Sequence, residues 1–72
     1  MNWTNWEEAW PDWKDEGRII EMELEDGKIV IGKLNIDDFF SDGEEEIPIY
    51  TVIDNTGKKH NFVDNVRWKF IT

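Results

Sequence analysis

Residues 18–36 read RIIEMELEDGKIVIGKLNI, and the fold follows from them. Ile20, Met22 and Leu24 alternate with Glu21, Glu23 and Glu25. A period of two puts one set on a dry face and the other on a wet face, the pattern of a half-buried strand. Asp26-Gly27 supplies a turn and Ile29-Val30-Ile31 starts a second strand, so the stretch is a β-hairpin. Two registers are open to it. A two-residue Asp26-Gly27 turn sets Leu24 opposite Ile29, Met22 opposite Ile31 and Ile20 opposite Lys33. A three-residue loop, Glu25-Asp26-Gly27 with Gly27 left-handed, sets Met22 opposite Val30 and Ile20 opposite Gly32. The second is preferred, because it leaves no lysine facing a core residue and brings Leu34 and Ile36 to the inner face. A slip of one residue would invert the whole strand. Gly32, in mid-strand, marks the point where a long strand bends.

The chain continues in the same style after this hairpin. Residues 47–54, IPIYTVID, form a third strand; Pro48 has no N–H for a ladder and belongs at an edge, a strand start or a bulge. Asp54-Asn55-Thr56-Gly57 is a turn, and residues 58–63 are a fourth strand. Asp64-Asn65 interrupts, and residues 66–71 are a fifth, with Val66, Trp68 and Phe70 on one face and Arg67 and Lys69 on the other. Short strands punctuated at this spacing imply a mainly β, five-stranded, strongly bent small barrel over residues 18–72.

Residues 1–17 read MNWTNWEEAWPDWKDEG and form a Trp-rich N-terminal arm that packs on the barrel. Trp3, Trp6, Trp10 and Trp13 recur at helical spacing. Thr4 and Glu7 fit a capping box, and Gly17 fits a C-terminal cap. Pro11 is tolerated only in a first turn. The expectation is therefore two short helical turns broken near Trp10, or a short helix over residues 11–16 behind an ordered arm. The Trp stripe either closes one end of the barrel or leaves Trp3 and Trp6 as anchors for a partner.

Seventy-two residues make one domain, and the absence of cysteine removes disulfides and thiolate metal sites. Five Trp and four Phe must supply the core of so short a chain. No stretch has the length of a membrane-spanning helix and the N-terminus shows no signal pattern, so a cytoplasmic protein is the expectation. The net charge of −9 is uneven: −4 over residues 1–17, −1 over 18–36, −6 over 37–46 and +2 over 47–72. Residues 37–46, DDFFSDGEEE, are read as an acidic loop with a turn at Ser41-Asp42-Gly43. One of Phe39 and Phe40 should be buried and the other open. An EF-hand starting at Asp38 would need an acid at its third position and Glu at its twelfth, where Phe40 and Ile49 stand, so no metal is expected.

Leu24-Glu25-Asp26-Gly27-Lys28, then Gly32-Lys33-Leu34, then Asp37-Asp38-Phe39 resemble the first signature motif of Sm-like proteins. That resemblance implies a short N-terminal helix followed by a five-stranded, strongly bent barrel of the wider SH3-like type. The family's RNA-contacting asparagine has no counterpart in Phe40-Ser41-Asp42. Its second-motif Arg-Gly pair is replaced by Asp64-Asn65. The architecture is kept and the RNA function is not.

His60 is the sole histidine and Ser41, in acidic surroundings, the sole serine. Glu21, Glu23 and Glu25 lie on a solvated face that cannot separate their pKa values. No catalytic residue, cofactor or enzyme activity is expected. The composition favours a protein-binding module. Asp37, Asp38, Phe40, Asp42, Glu44, Glu45 and Glu46, with Trp3 and Trp6, would dock on the basic, nucleic-acid-binding surface of a partner. A short, strongly acidic, cysteine-free protein can imitate the charge of nucleic acid, and several phage-encoded inhibitors of host defence enzymes are small and acidic in this way, an analogy of size and charge. Nucleic acid is not the expected ligand of so acidic a chain. Two alternatives are a ring-forming, Sm-like RNA-binding protein using Lys58, Lys59, Arg67 and Lys69, and an assembly component that self-associates through strand edges.

Overall fold

The computed structural model describes residues 3–5 and 7–71. The chain is mainly β: β1 (Ile19–Leu24), β2 (Ile29–Asp42), β3 (Glu45–Asp54), β4 (Lys59–Asn61) and β5 (Asn65–Phe70) form one antiparallel sheet in the order β4-β3-β2-β1-β5. The β1–β2 hairpin takes the three-residue loop. Met22 faces Val30, Ile20 faces Gly32, and Gly27 sits at φ +86°. Ile20, Met22, Val30 and Leu34 are consequently all buried on one face, with Val52 and Tyr50 beside them. Gly32 is held between Ile20 on one side and Asp54 on the other. A Cβ there would collide with the Ile53 carbonyl and come within 2.9 Å of Val52 Cγ1, so glycine is required by close backbone approach.

The sheet is open. Its edges are β4 and β5, and among the described residues no ladder joins them. The chain passes between these edges through a 3₁₀ turn, Phe62–Asp64, in which Phe62 is fully buried and the Asn65 side-chain amide donates to the Phe62 carbonyl. The fourth strand is therefore shorter than residues 58–63, because Phe62 leaves the ladder to fill the core.

The N-terminal arm is not an amphipathic helix. Its only helical element among the described residues is a 3₁₀ turn, Trp13–Asp15. Thr4 does not cap a helix. It exchanges two hydrogen bonds with Trp68 on the outer edge of β5, at 2.7 and 2.8 Å. The Asn5 side chain, not Thr4, accepts from the Glu7 N–H. From β5 the arm crosses the mouth of the sheet. The Ala9 carbonyl accepts from Trp68 Nε1 at 3.1 Å, and the Pro11 carbonyl accepts from the Tyr50 hydroxyl at 2.9 Å. Trp10 lies edge-on to Phe62 at 5.6 Å and tilted against Tyr50 at 6.3 Å. Aromatic edges, not strand pairing, cover the gap. Trp13 is exposed and Trp6 lies outside the described residues.

The acidic segment is not a loop. Residues 37–42 belong to β2 and residues 45–46 to β3, in register as Asp38↔Ile49, Phe39↔Pro48, Phe40↔Ile47, Ser41↔Glu46 and Asp42↔Glu45. Only Gly43-Glu44 turn the corner, with Gly43 at φ +72°. A single positive φ at the first of two central residues is the II′ hairpin pattern. Phe39 and Phe40 are both exposed, at 49% and 58%. They point to opposite faces of the ribbon, but this part of the hairpin runs past the core, so neither face is covered.

Candidate functional site

The distal half of the β2–β3 hairpin is the candidate site. β1 pairs with β2 only over Ile29–Lys33, and β4 pairs with β3 only over Thr51–Ile53. Beyond these limits, among the described residues, β2 and β3 pair as strands only with each other. The ribbon carries Asp37, Asp38, Asp42, Glu44, Glu45 and Glu46 with no base among residues 37–49, all six acids exposed. Between them lie Phe39, Phe40, Ile47 and Ile49, each at least 40% exposed. Large apolar side chains exposed together on a small domain are a recognition signature. A two-stranded ribbon extending past its sheet gains little from pairing alone.

The two flanks of the ribbon differ. Proline has no N–H, so the Phe39↔Pro48 pair is one whose backbone groups point away from the ladder. Phe39 agrees: its N–H donates to the Asp38 carboxylate at 2.8 Å, not to β3. On the β2 flank the outward-pointing groups can be followed residue by residue. Leu34 exchanges bonds with Gly17 and Arg18, and the Ile36 N–H donates to Glu16 at 3.0 Å. A bulge follows between Ile36 and Asp38. Phe39 is next, and by alternation Ser41 is the last.

The structure brings together Asp37, Asp38, Phe40, Asp42, Glu44, Glu45 and Glu46. Trp3 stands apart. It is half-buried against β5, with the Arg67 guanidinium 4.5 Å and the Lys69 ammonium 4.6 Å from its ring. Phe39, Ile47 and Ile49 belong to the site although the sequence reading passed over them. The available signal was the Ile47-Pro48-Ile49 alternation directly beside the acids.

The four bases proposed for a phosphate track are differently engaged. Lys59 pairs with Asp37 at 2.5 Å, Arg67 with Glu23, and Lys69 with Glu21 at 3.8 Å. Lys58 instead lines an open groove of about 520 Å³ with Lys28, Ile29, Ile31, Asp54 and His60, between the two turns at the other end of the sheet.

His60 is part of a turn network. Asp54 Oδ1 accepts from the Thr56 hydroxyl at 2.6 Å and from the backbone N–H groups of Thr56 and Lys58 at 2.9 and 3.0 Å, while Oδ2 meets His60 Nε2 at 2.8 Å. The Thr56 hydroxyl, then His60, hold the Asp54 carboxyl well below the usual carboxylate range. With its lone pairs engaged in this way, Asp54 holds the turn together.

A scan of protein-family models, a search of curated proteins and a search of solved structures find no match to this chain.

Proposed function

We propose that this protein is a non-enzymatic binding module whose β2–β3 hairpin docks on a basic, nucleic-acid-binding surface of a partner protein and occludes it. The observation that carries this reading is the composition of the ribbon: six exposed carboxylates, of which Asp37 is paired with Lys59, and four exposed large apolar side chains on a piece of sheet that runs past the core. The carboxylates steer a basic surface into contact, and the apolar residues give the contact area that outlasts screening. Repulsion between two such hairpins disfavours pairing of the ribbon with its own copy.

The scaffold reading that accompanies this is a strongly bent SH3-like roll in which the N-terminal arm, not a strand ladder, closes the seam. Its supports are the strand order, the long β2 shared by two neighbours, and the arm crossing from Thr4 to Pro11.

The test is binding to a panel of purified nucleic-acid-binding proteins with pI above about 9, by the wild type and by a variant carrying Asp42, Glu44, Glu45 and Glu46→Lys. At least one panel member should bind the wild type, compete with DNA for it and lose affinity as salt rises. The variant should lose that binding by at least about tenfold. Equal binding by both proteins removes the hairpin from the reading.

A further inference from the structure

We infer that the partner engages the hairpin by adding an extended segment as a third strand along the β2 flank at residues 37–42, and that this segment carries basic, apolar and basic side chains at alternate positions. The inference rests on the docking reading above and specifies its geometry. Strand addition needs a flank with free backbone groups. The β3 flank is interrupted by Pro48, which has no donor to offer. Among the described residues, the arm occupies the β2 flank as far as Ile36, through Gly17, Arg18 and the Glu16 carboxylate. Past the bulge it presents the outward backbone of Phe39 and Ser41.

The side chains on that flank define the guest. Alternation sets Asp38, Phe40 and Asp42 on one face of β2, and Phe39 and Ser41 on the other. A neighbouring strand places its own alternate residues against each row, with cross-strand partners about 5 Å apart. Acid, aromatic, acid on the host therefore selects base, apolar, base on the guest. Asp38 guards the flank before the guest arrives. Its carboxylate holds the Phe39 N–H. On addition it releases that N–H to the guest's carbonyl and takes an ammonium or guanidinium in exchange. An acidic guest would be repelled, so the same residue keeps like-charged strands away.

The experiment uses three synthetic peptides of equal charge, titrated by NMR into the whole protein at low salt. One contains Lys-Thr-Val-Thr-Lys. A second has the isomeric order Lys-Lys-Val-Thr-Thr, which breaks the alternation. The third has the first sequence with alternate backbone nitrogens methylated. The first peptide should bind at least fivefold tighter than the other two and slow hydrogen exchange at the Ser41 amide. Ser41→Pro, which removes that N–H from the outer flank, should abolish its advantage. Equal binding of all three, lost together in the four-lysine variant, overturns strand addition and leaves charge-driven docking in place. Binding of none of them at low salt overturns both.

Discussion

Tyr50 is the only tyrosine in the chain, and its surroundings make it a reporter. It is 5% exposed and donates to the Pro11 carbonyl. Burial, and then the negative charges of Asp12, Asp15 and Glu16, push its pKa up to about 12. The folded state thus holds the neutral phenol more firmly than the unfolded chain does. This contribution is complete below the ordinary tyrosine value of about 10 and is lost as pH rises through about 12. A tyrosinate absorbance titration should show one transition near 12, returning to about 10 in denaturant. A native transition near 10 would mean that the arm does not cover this ring. At the same scale, the alternation in Ile20, Met22 and Leu24 made the inner face legible, and Gly32 was legible as special. The reason for Gly32 was not, because its collision partner, the Ile53 carbonyl, lies on a strand twenty-one residues away.

Among the elements, the β1–β2 hairpin was readable because its register is constrained from both sides: a lysine is excluded from the core and a glycine must take positive φ. The distal part of the β2–β3 hairpin, residues 37–46, was misread as a loop because charge dominated its composition, whereas residues 47–54 were read as a strand. Acids on a ribbon wet on both faces leave no alternation to detect, and only the Phe39↔Pro48 and Phe40↔Ile47 pairings reveal the strands. Asn65 was read as a break, whereas it is 1% exposed and anchors the turn at Phe62. The β3–β4 turn depends on Asp54. Its carboxyl is held low, so its contribution is full above the ordinary Asp value of about 3.9 and is lost as pH falls below it. Asp54→Ala should lower the urea midpoint at pH 7, and the difference from wild type should shrink on acidification toward pH 2. A constant difference across that range would mean that the carboxylate charge is not what holds the turn.

For the molecule as a whole, the arm runs across the open sheet from Trp68 of β5 to Tyr50 of β3. Trp10 contributes through its contacts with Phe62 and Tyr50, although it is 41% exposed. Two such ring pairs together are worth about 2 kcal/mol. Trp10→Ala should cost about that much in urea unfolding and move the Tyr50 transition down from about 12 toward its ordinary value. Loss of stability with no change in the titration would place the effect elsewhere than the seam. The spacing of the tryptophans suggested short helical turns; among the described residues the arm has one helical element, the 3₁₀ turn Trp13–Asp15, and Trp10 meets Phe62 and Tyr50 from outside it. Pro48 has a consequence at this largest scale. A ribbon open on both sides would propagate, each newcomer becoming the template for the next, as in a fibril. Because the Pro48 nitrogen carries no hydrogen, strand pairing through this hairpin is confined to one side, and the carboxylates there repel a second copy of the chain, which keeps the hairpin from seeding a stack of its own kind.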